Sequence, residues 1–251
     1  LPDGAQSYNF GGPAQVITGP SGDRFYILHK ADILNPDAYS GISTIDMNPY
    51  NTPEVSFHKV FDTNLVSNGL RSNSINSIAV DTDGSVYAAT NGGGLSRSDD
   101  NGETWALQKL LLADGSTMSD TIYCLAAVKR GCGAGGDKYV YAGGKGGLWI
   151  SKNNGAWNRV GAAGSADITA ISAMDNGYVI AGTDNGNVYV SREYDVNFVQ
   201  KYGPAIKRIN ALAIDDSYRA WAGNDTGQFF SENVFGSATV SWTAHMPQGI
   251  T

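Results

Sequence analysis

The chain has 251 residues, enough for one large all-β domain or two small ones. Only 16% of residues are charged, against an ordinary share of ~25%, while glycine (32) and tyrosine (13) are abundant, which suits short strands joined by tight turns. The net charge of −7 with scattered Lys and Arg excludes a nucleic-acid partner, which needs a basic stripe, and no run of about 18 apolar residues is present to cross a membrane.

The sequence opens Leu1-Pro2-Asp3-Gly4 without an initiator Met, as expected of a mature secreted product or a fragment of something longer. Its first element is a divergent four-strand copy over about 12–61, with Gln15–Thr18 as inner strand, then Arg24–Leu28, Ile42–Met47 and Val55–Phe61. Between its second and third strands lies a long connection, His29 to Ser40, carrying His29, Lys30, Asp32 and Tyr39. Loops on a rigid scaffold carry function, so this connection is the first candidate binding element.

Clearer copies follow over about 72–110, 120–160, 166–202 and 206–245. Their inner strands begin at Ile75, Ile122, Ile168 and Ile209, at spacings of 47, 46 and 41 residues. Each alternates apolar and polar residues, as a strand packed between sheets does. Second strands follow at Val86–Thr90, Tyr139–Gly143, Tyr178–Gly182 and Ala220–Gly223. Turns rich in Gly, Asn and Asp close the hairpins: Asn91-Gly92-Gly93, Gly144-Lys145-Gly146, Asp184-Asn185-Gly186 and Asp225-Thr226-Gly227. A third strand ends on Ser98, Ser151, Ser191 and Ser231, and a fourth carries Trp105, Trp157, Phe198 and Trp242. A period of about 40–50 residues with four strands per copy predicts a β-propeller of four-stranded antiparallel blades. Five blades are visible in one domain over 1–251, and residues 247–251 begin a further repeat or a closure strand. Either a five-bladed ring or part of a larger, six- to eight-bladed one fits.

At Ser98-Asp99-Asp100-Asn101-Gly102-Glu103-Thr104-Trp105 the chain resembles the Asp-box, or bacterial neuraminidase repeat, of secreted propellers. Ser151–Trp157 is a copy one residue short with Asn for Asp, Ser191-Arg192-Glu193-Tyr194-Asp195 keeps the serine, and Ser231 leads by a longer excursion to Trp242. The resemblance covers about 70–246 and implies a structural turn, not a catalytic one, for Ser98, Asp100, Gly102 and Trp105. Ile75–Leu95, with its Asp81-Thr82-Asp83-Gly84 turn and Gly93-Gly94-Leu95, is also similar to the sensor propellers of hybrid two-component regulators. Both resemblances bear on fold before function.

No catalytic constellation is expected. A sialidase would carry an Arg-Ile-Pro style motif near its start, where this chain has Arg24-Phe25-Tyr26. A xyloglucanase-like pair of carboxylates about 6.5–9.5 Å apart would draw on Asp32, Asp37, Asp184 or Asp225, which read equally as solvated loop residues. Asp81–Gly84 is half of a calcium loop but runs back into a strand, so it reads as a hairpin turn. His29, His58 and His245 lack metal-ligand spacing, and no cofactor or metal is expected. Cys124 reads as a buried strand position and Cys132 as a loop residue, which leaves their pairing open. Asn224-Asp225-Thr226 is an N-glycan acceptor sequence in a turn.

The expected function is that of an extracellular or cell-surface binding or scaffolding module for protein or glycan, with self-assembly through a larger parent chain as a third possibility. The rival is a carbohydrate-active enzyme of xyloglucanase or sialidase type. Candidate binding residues are His29, Lys30, Asp32, Tyr39, Lys145, Asp184 and Asn224, all placed by the repeat at second-to-third-strand connections.

Overall fold

A computed structural model describes residues 16–18, 24–29, 41–46, 54–58, 69–72, 74–111, 115–116, 121–130, 136–195, 197–236 and 239–245. These form five four-stranded antiparallel sheets, each a meander in chain order. The first holds β1 (Val16–Thr18), β2 (Arg24–His29), β3 (Gly41–Asp46) and β4 (Glu54–His58). The second holds β5 (Ile75–Val80), β6 (Val86–Thr90), β7 (Leu95–Ser98) and β8 (Ala106–Gln108). The third holds β9 (Ile122–Lys129), β10 (Lys138–Gly144), β11 (Gly147–Lys152) and β12 (Trp157–Arg159). The fourth holds β13 (Ile168–Ala173), β14 (Val179–Thr183), β15 (Asn187–Ser191) and β16 (Val199–Tyr202). The fifth holds β17 (Ala211–Ile214), β18 (Ala220–Asn224), β19 (Gly227–Ser231) and β20 (Thr243–His245). This is the all-β, propeller-type architecture that the repeat predicts. The chain divides into two compact units, Leu1–Leu107 with the first two sheets and Gln108–Thr251 with the last three.

Within the second unit, alternation of side chains across each strand divides the fourth sheet between two cores. In the fourth sheet Val179, Ala181 and Tyr189 face the third, meeting Tyr139, Tyr141 and Ile150. Ile180, Val188 and Val190 face the fifth, meeting Ala220, Leu212, Ile214 and Trp242. The first unit has its own core of Ile42, Leu70, Ile75, Ile78, Val86, Ala88 and Trp105.

The inner strands share a bulge. Ile75 pairs with Thr90 but Ser77 with Ala89, skipping Asn76; the same slip skips Tyr123 in β9 and Thr169 in β13. A bulge bends the strand and re-aims the unpaired side chain. In the fifth sheet the ladder starts at Ala211, two residues later than the repeat implies. There Ile209 has left the ladder to pack on Gly182, where an added Cβ would stand 2.6 Å from Ile209 Cγ2. The Ile209 N–H still donates to Thr183 O at 3.0 Å.

The turn after β7 is held as its residue types dictate. Ser98 Oγ donates to Asp100 Oδ1 (2.7 Å) and accepts from the Gly102 N–H (2.8 Å), while Asp100 Oδ1 accepts from the Thr104 N–H (2.8 Å). Gly102 takes φ +99°, and Trp105, buried, donates through Nε1 to Gly102 O at 2.9 Å. The donors from Thr104 hold the Asp100 carboxyl at about 2. Asp81–Gly84 is a hairpin turn whose buried carboxylate is occupied by the backbone N–H groups of Asp83 (2.8 Å) and Ser85 (3.1 Å). Asp215 repeats it with Ser217 and Arg219, both at 3.0 Å.

Candidate functional site

In each sheet the start of the inner strand and the second-to-third-strand turn lie at one end, because Ile122 pairs with Gly144, Ile168 with Thr183 and Ala211 with Gly223. In the second unit, that end gathers side chains from three sheets. Lys145 is exposed on its turn, its N–H donating to Thr121 O at 3.1 Å. Asp184 is exposed on the next, its N–H donating to Asp167 O at 3.1 Å. Asp167 Oδ1 in turn accepts from Gly146 N at 2.8 Å, linking the two turns.

Residues that the sequence reading missed complete the surface. The bulged Tyr123 leaves its ladder, and the Arg208 guanidinium, in the connection before β17, lies over its ring at 5.3 Å from the centroid, a cation–π contact onto the third sheet. Asn210, after Ile209, donates through Nδ2 to the exposed Asp225 at 2.7 Å. Thr169, the bulged residue between them, points its hydroxyl inward to Ile209 O at 2.6 Å. Their only sequence signal is position, one residue after the repeated Ile. Tyr202 pairs with Asn187 at the same end and is 81% exposed; Ile206, next to it in the loop that packs on Gly186, is 92% exposed.

The other candidates fare differently. Asn224 is half-buried: Oδ1 accepts from the Thr226 N–H (2.8 Å) and hydroxyl (2.6 Å), and Nδ2 is enclosed without a partner among the described residues. The nitrogen to which a glycan would attach is therefore inside the turn, which corrects the acceptor reading of Asn224-Asp225-Thr226 for the folded chain. His29 closes β2 opposite Gly41, so the connection leaves the first sheet at its turn end. Lys30, Asp32, Asp37, Tyr39 and Cys132 lie outside the described residues. Cys124 is a free thiol whose Sγ donates toward Ile168 O (3.6 Å), and burial pushes its pKa up. His245 stands edge-on to Trp221, with centroids 5.4 Å apart. Among the described residues no group of three or more metal-ligating side chains converges, and no helix is long and apolar enough to cross a membrane.

Every carboxylate with a resolved displacement among the described residues is displaced downward. Thr104 holds Asp100 down and the Trp221 indole N–H holds Asp215 at about 2. Lys152 holds Asp137 down, and for Asp99 the cost of burial is outweighed by bonds from Ser85 and Arg97.

The fold and this turn-bearing end define a β-propeller with an open, mixed-charge end surface. No family model matches the chain, and no curated protein matches it. Solved structures do. The extracellular domain of a putative one-component system from B. thetaiotaomicron superposes with a TM-score of 0.58 at 20% identity, covering 90% of this chain and 28% of that one. The extracellular domain of a putative hybrid two-component system from the same organism gives 0.64 at 12% identity, covering 91% and 29%. Selenomethionine-substituted virginiamycin B lyase from Staphylococcus aureus gives 0.64 at 11%, covering 94% and 71%. The chain thus spans under a third of the sensor ectodomains it matches, and the likeness is one of fold.

Proposed function

We propose that this chain is an extracellular binding module whose working surface is the turn-bearing end of the third to fifth sheets. The observation that carries this is the convergence of Arg208 on Tyr123 beside Lys145, Asp184 and the Asn210–Asp225 pair. Carboxylate, amide and cationic groups, with the exposed Tyr202 at the same end of the fourth sheet, match the alternating hydroxyls and apolar faces of a glycan. The long connection of the first sheet, with His29, Lys30, Asp32 and Tyr39, is a second contact element in this reading.

The extracellular sensor domains among the structural neighbours support an extracellular setting. Calorimetric titration with a panel of neutral and acidic oligosaccharides, alongside a reducing-end assay, tests this. Binding without turnover, lost in Arg208→Ala and Lys145→Ala at unchanged Tm, is expected. Release of reducing ends would replace the binding reading with the enzymatic one.

A further inference from the structure

Cations over aromatic rings recur in this chain, and elsewhere a carboxylate completes the set. Arg97 lies over Tyr87 at 5.9 Å from the centroid and pairs with Asp99 at 2.7 Å. Arg219 lies over Trp221 at 5.6 Å and pairs with Asp215 at 2.7 Å. Lys152 lies over Tyr139 at 5.5 Å and pairs with Asp137 at 2.7 Å. Arg130, over Tyr194, helps to hold that same Asp137 carboxyl down. The ring steadies the cation and the carboxylate takes its N–H groups. Arg208 has its ring, Tyr123 at 5.3 Å, but among the described residues no carboxylate pairs with it.

Arg208 is presented from a held point of the backbone. Directly after it, the N–H of the buried Ile209 donates to Thr183 O at 3.0 Å and that of Asn210 to Gly223 O at 2.8 Å. Lys207, directly before it, is seated on the fourth-sheet turn, where a Cβ added to Gly186 would stand 2.7 Å from its backbone nitrogen. Lys145, Lys207 and Arg208 are all exposed, and among the described residues none is in an ion pair. The carboxylates at this end are turned to other donors: Asp225 accepts from Asn210 at 2.7 Å, and Asp167 from the Gly146 N–H at 2.8 Å. Only Asp184 is left open among them.

We propose that the Arg208 guanidinium is the receptor for a ligand carboxylate, so that the glycan taken at this end is an acidic one, carrying uronic acid. The proposal rests on the binding reading above and narrows its ligand. A guanidinium presents N–H donors in a fixed fork that matches the two oxygens of a carboxylate, and the pair of parallel bonds is charge-assisted. The ligand carboxylate takes the place that Asp99 holds beside Arg97 and Asp215 beside Arg219.

The test is calorimetric titration of the full chain with oligosaccharides of galacturonate, glucuronate and mannuronate, each beside its own methyl ester, and with a neutral panel. The ester keeps the sugar and removes the charge. At least one acid is expected to bind about tenfold or more tightly than its ester, the low end of what bonds to a charged group supply. Arg208→Ala abolishes that preference. Arg208→Lys, which keeps the charge but not the fork, retains only a small part of it, and carries the test should the alanine variant lower Tm. Acid and ester bound alike, or a preference that survives Arg208→Ala, overturns this proposal and leaves the binding reading standing. Binding of no oligosaccharide, acidic or neutral, overturns both.

Discussion

Two serines on β7 make opposed predictions from one strand. Ser96 and Ser98 are two residues apart, so they share a face, and they are 0% and 1% exposed. Ser98 Oγ donates to Asp100 and accepts from the Gly102 N–H, whereas Ser96 Oγ has no partner among the described residues. Ser98→Ala strands the buried Gly102 donor and frees Asp100, a loss of about 2 kcal/mol from the usual 1–3 for an orphaned group. At about 2–4 °C per kcal/mol for a chain of this size, Tm falls by roughly 4–8 °C. Ser96→Ala removes a hydroxyl that was buried without compensation, and stabilises by about 1 kcal/mol, raising Tm by about 2–4 °C. Differential scanning calorimetry of the two variants reads both shifts against wild type. Shifts of the same sign would refute the hydrogen-bond accounting, since the two substitutions are chemically identical and differ only in partners.

Other outcomes follow from the same contacts. Asp100 has a folded pKa of about 2, depressed below the ordinary carboxylate range, so its contribution is present above pH ~4 and lost as pH falls toward 2. The group is exposed and screened, so the effect is small; Asp100→Asn flattens the acid limb of Tm against pH in that window. Tyr141→Phe deletes the buried bond from the phenol to Tyr194 O (3.2 Å) and lowers stability by about 1 kcal/mol, read by urea titration. In a Cys132→Ser background, the half-buried Cys124 thiol, its pKa pushed up by burial, reacts with iodoacetamide at pH 8 more slowly than in the unfolded protein, as mass spectrometry will show.

The blades were legible because their signals are local. Gly, Asn and Asp at hairpin turns, period-2 strands and the terminal serine all act over a few residues, and they recur. The turn at Ser98–Trp105 was legible for the same reason, since its serine, aspartate and glycine act over a few residues. In the fifth sheet it was not, although Asn233 plays the part of Asp100: its Oδ1 accepts from Ser231 Oγ (3.0 Å) and from the Ser241 N–H (3.1 Å), just before Trp242. Four extra residues between the partners hid the motif from spacing. Lys145 and Asp184 were placed at the turn end by repeat position, but the inward orientation of Asn224 depends on Thr226 capturing its carbonyl. The Arg208–Tyr123 contact joins residues 85 apart, and a bulge that no residue type announces aims the tyrosine. Ile209 shows the converse: its apolar pattern was right, but it packs on Gly182 ahead of the ladder, which begins at Ala211.

The fifth-sheet turn also bears on how such a protein can be lengthened. Ser231 and Asn233 hold one end and Ser241 and Trp242 the other, Trp242 donating to Tyr202 O at 2.9 Å. A connection clamped at its ends transmits little of its own length to the strands, and doubling such a loop costs only about 0.6 kcal/mol in closure entropy. New peptide entering between Asn233 and Ser241 would leave β19 and β20 in register, provided that Val234, Phe235 and Val240, which pack against the fourth sheet, are kept. The same clamp that marks the repeat thus serves as a grafting point, where a foreign epitope or an affinity tag would be displayed without rebuilding the blade.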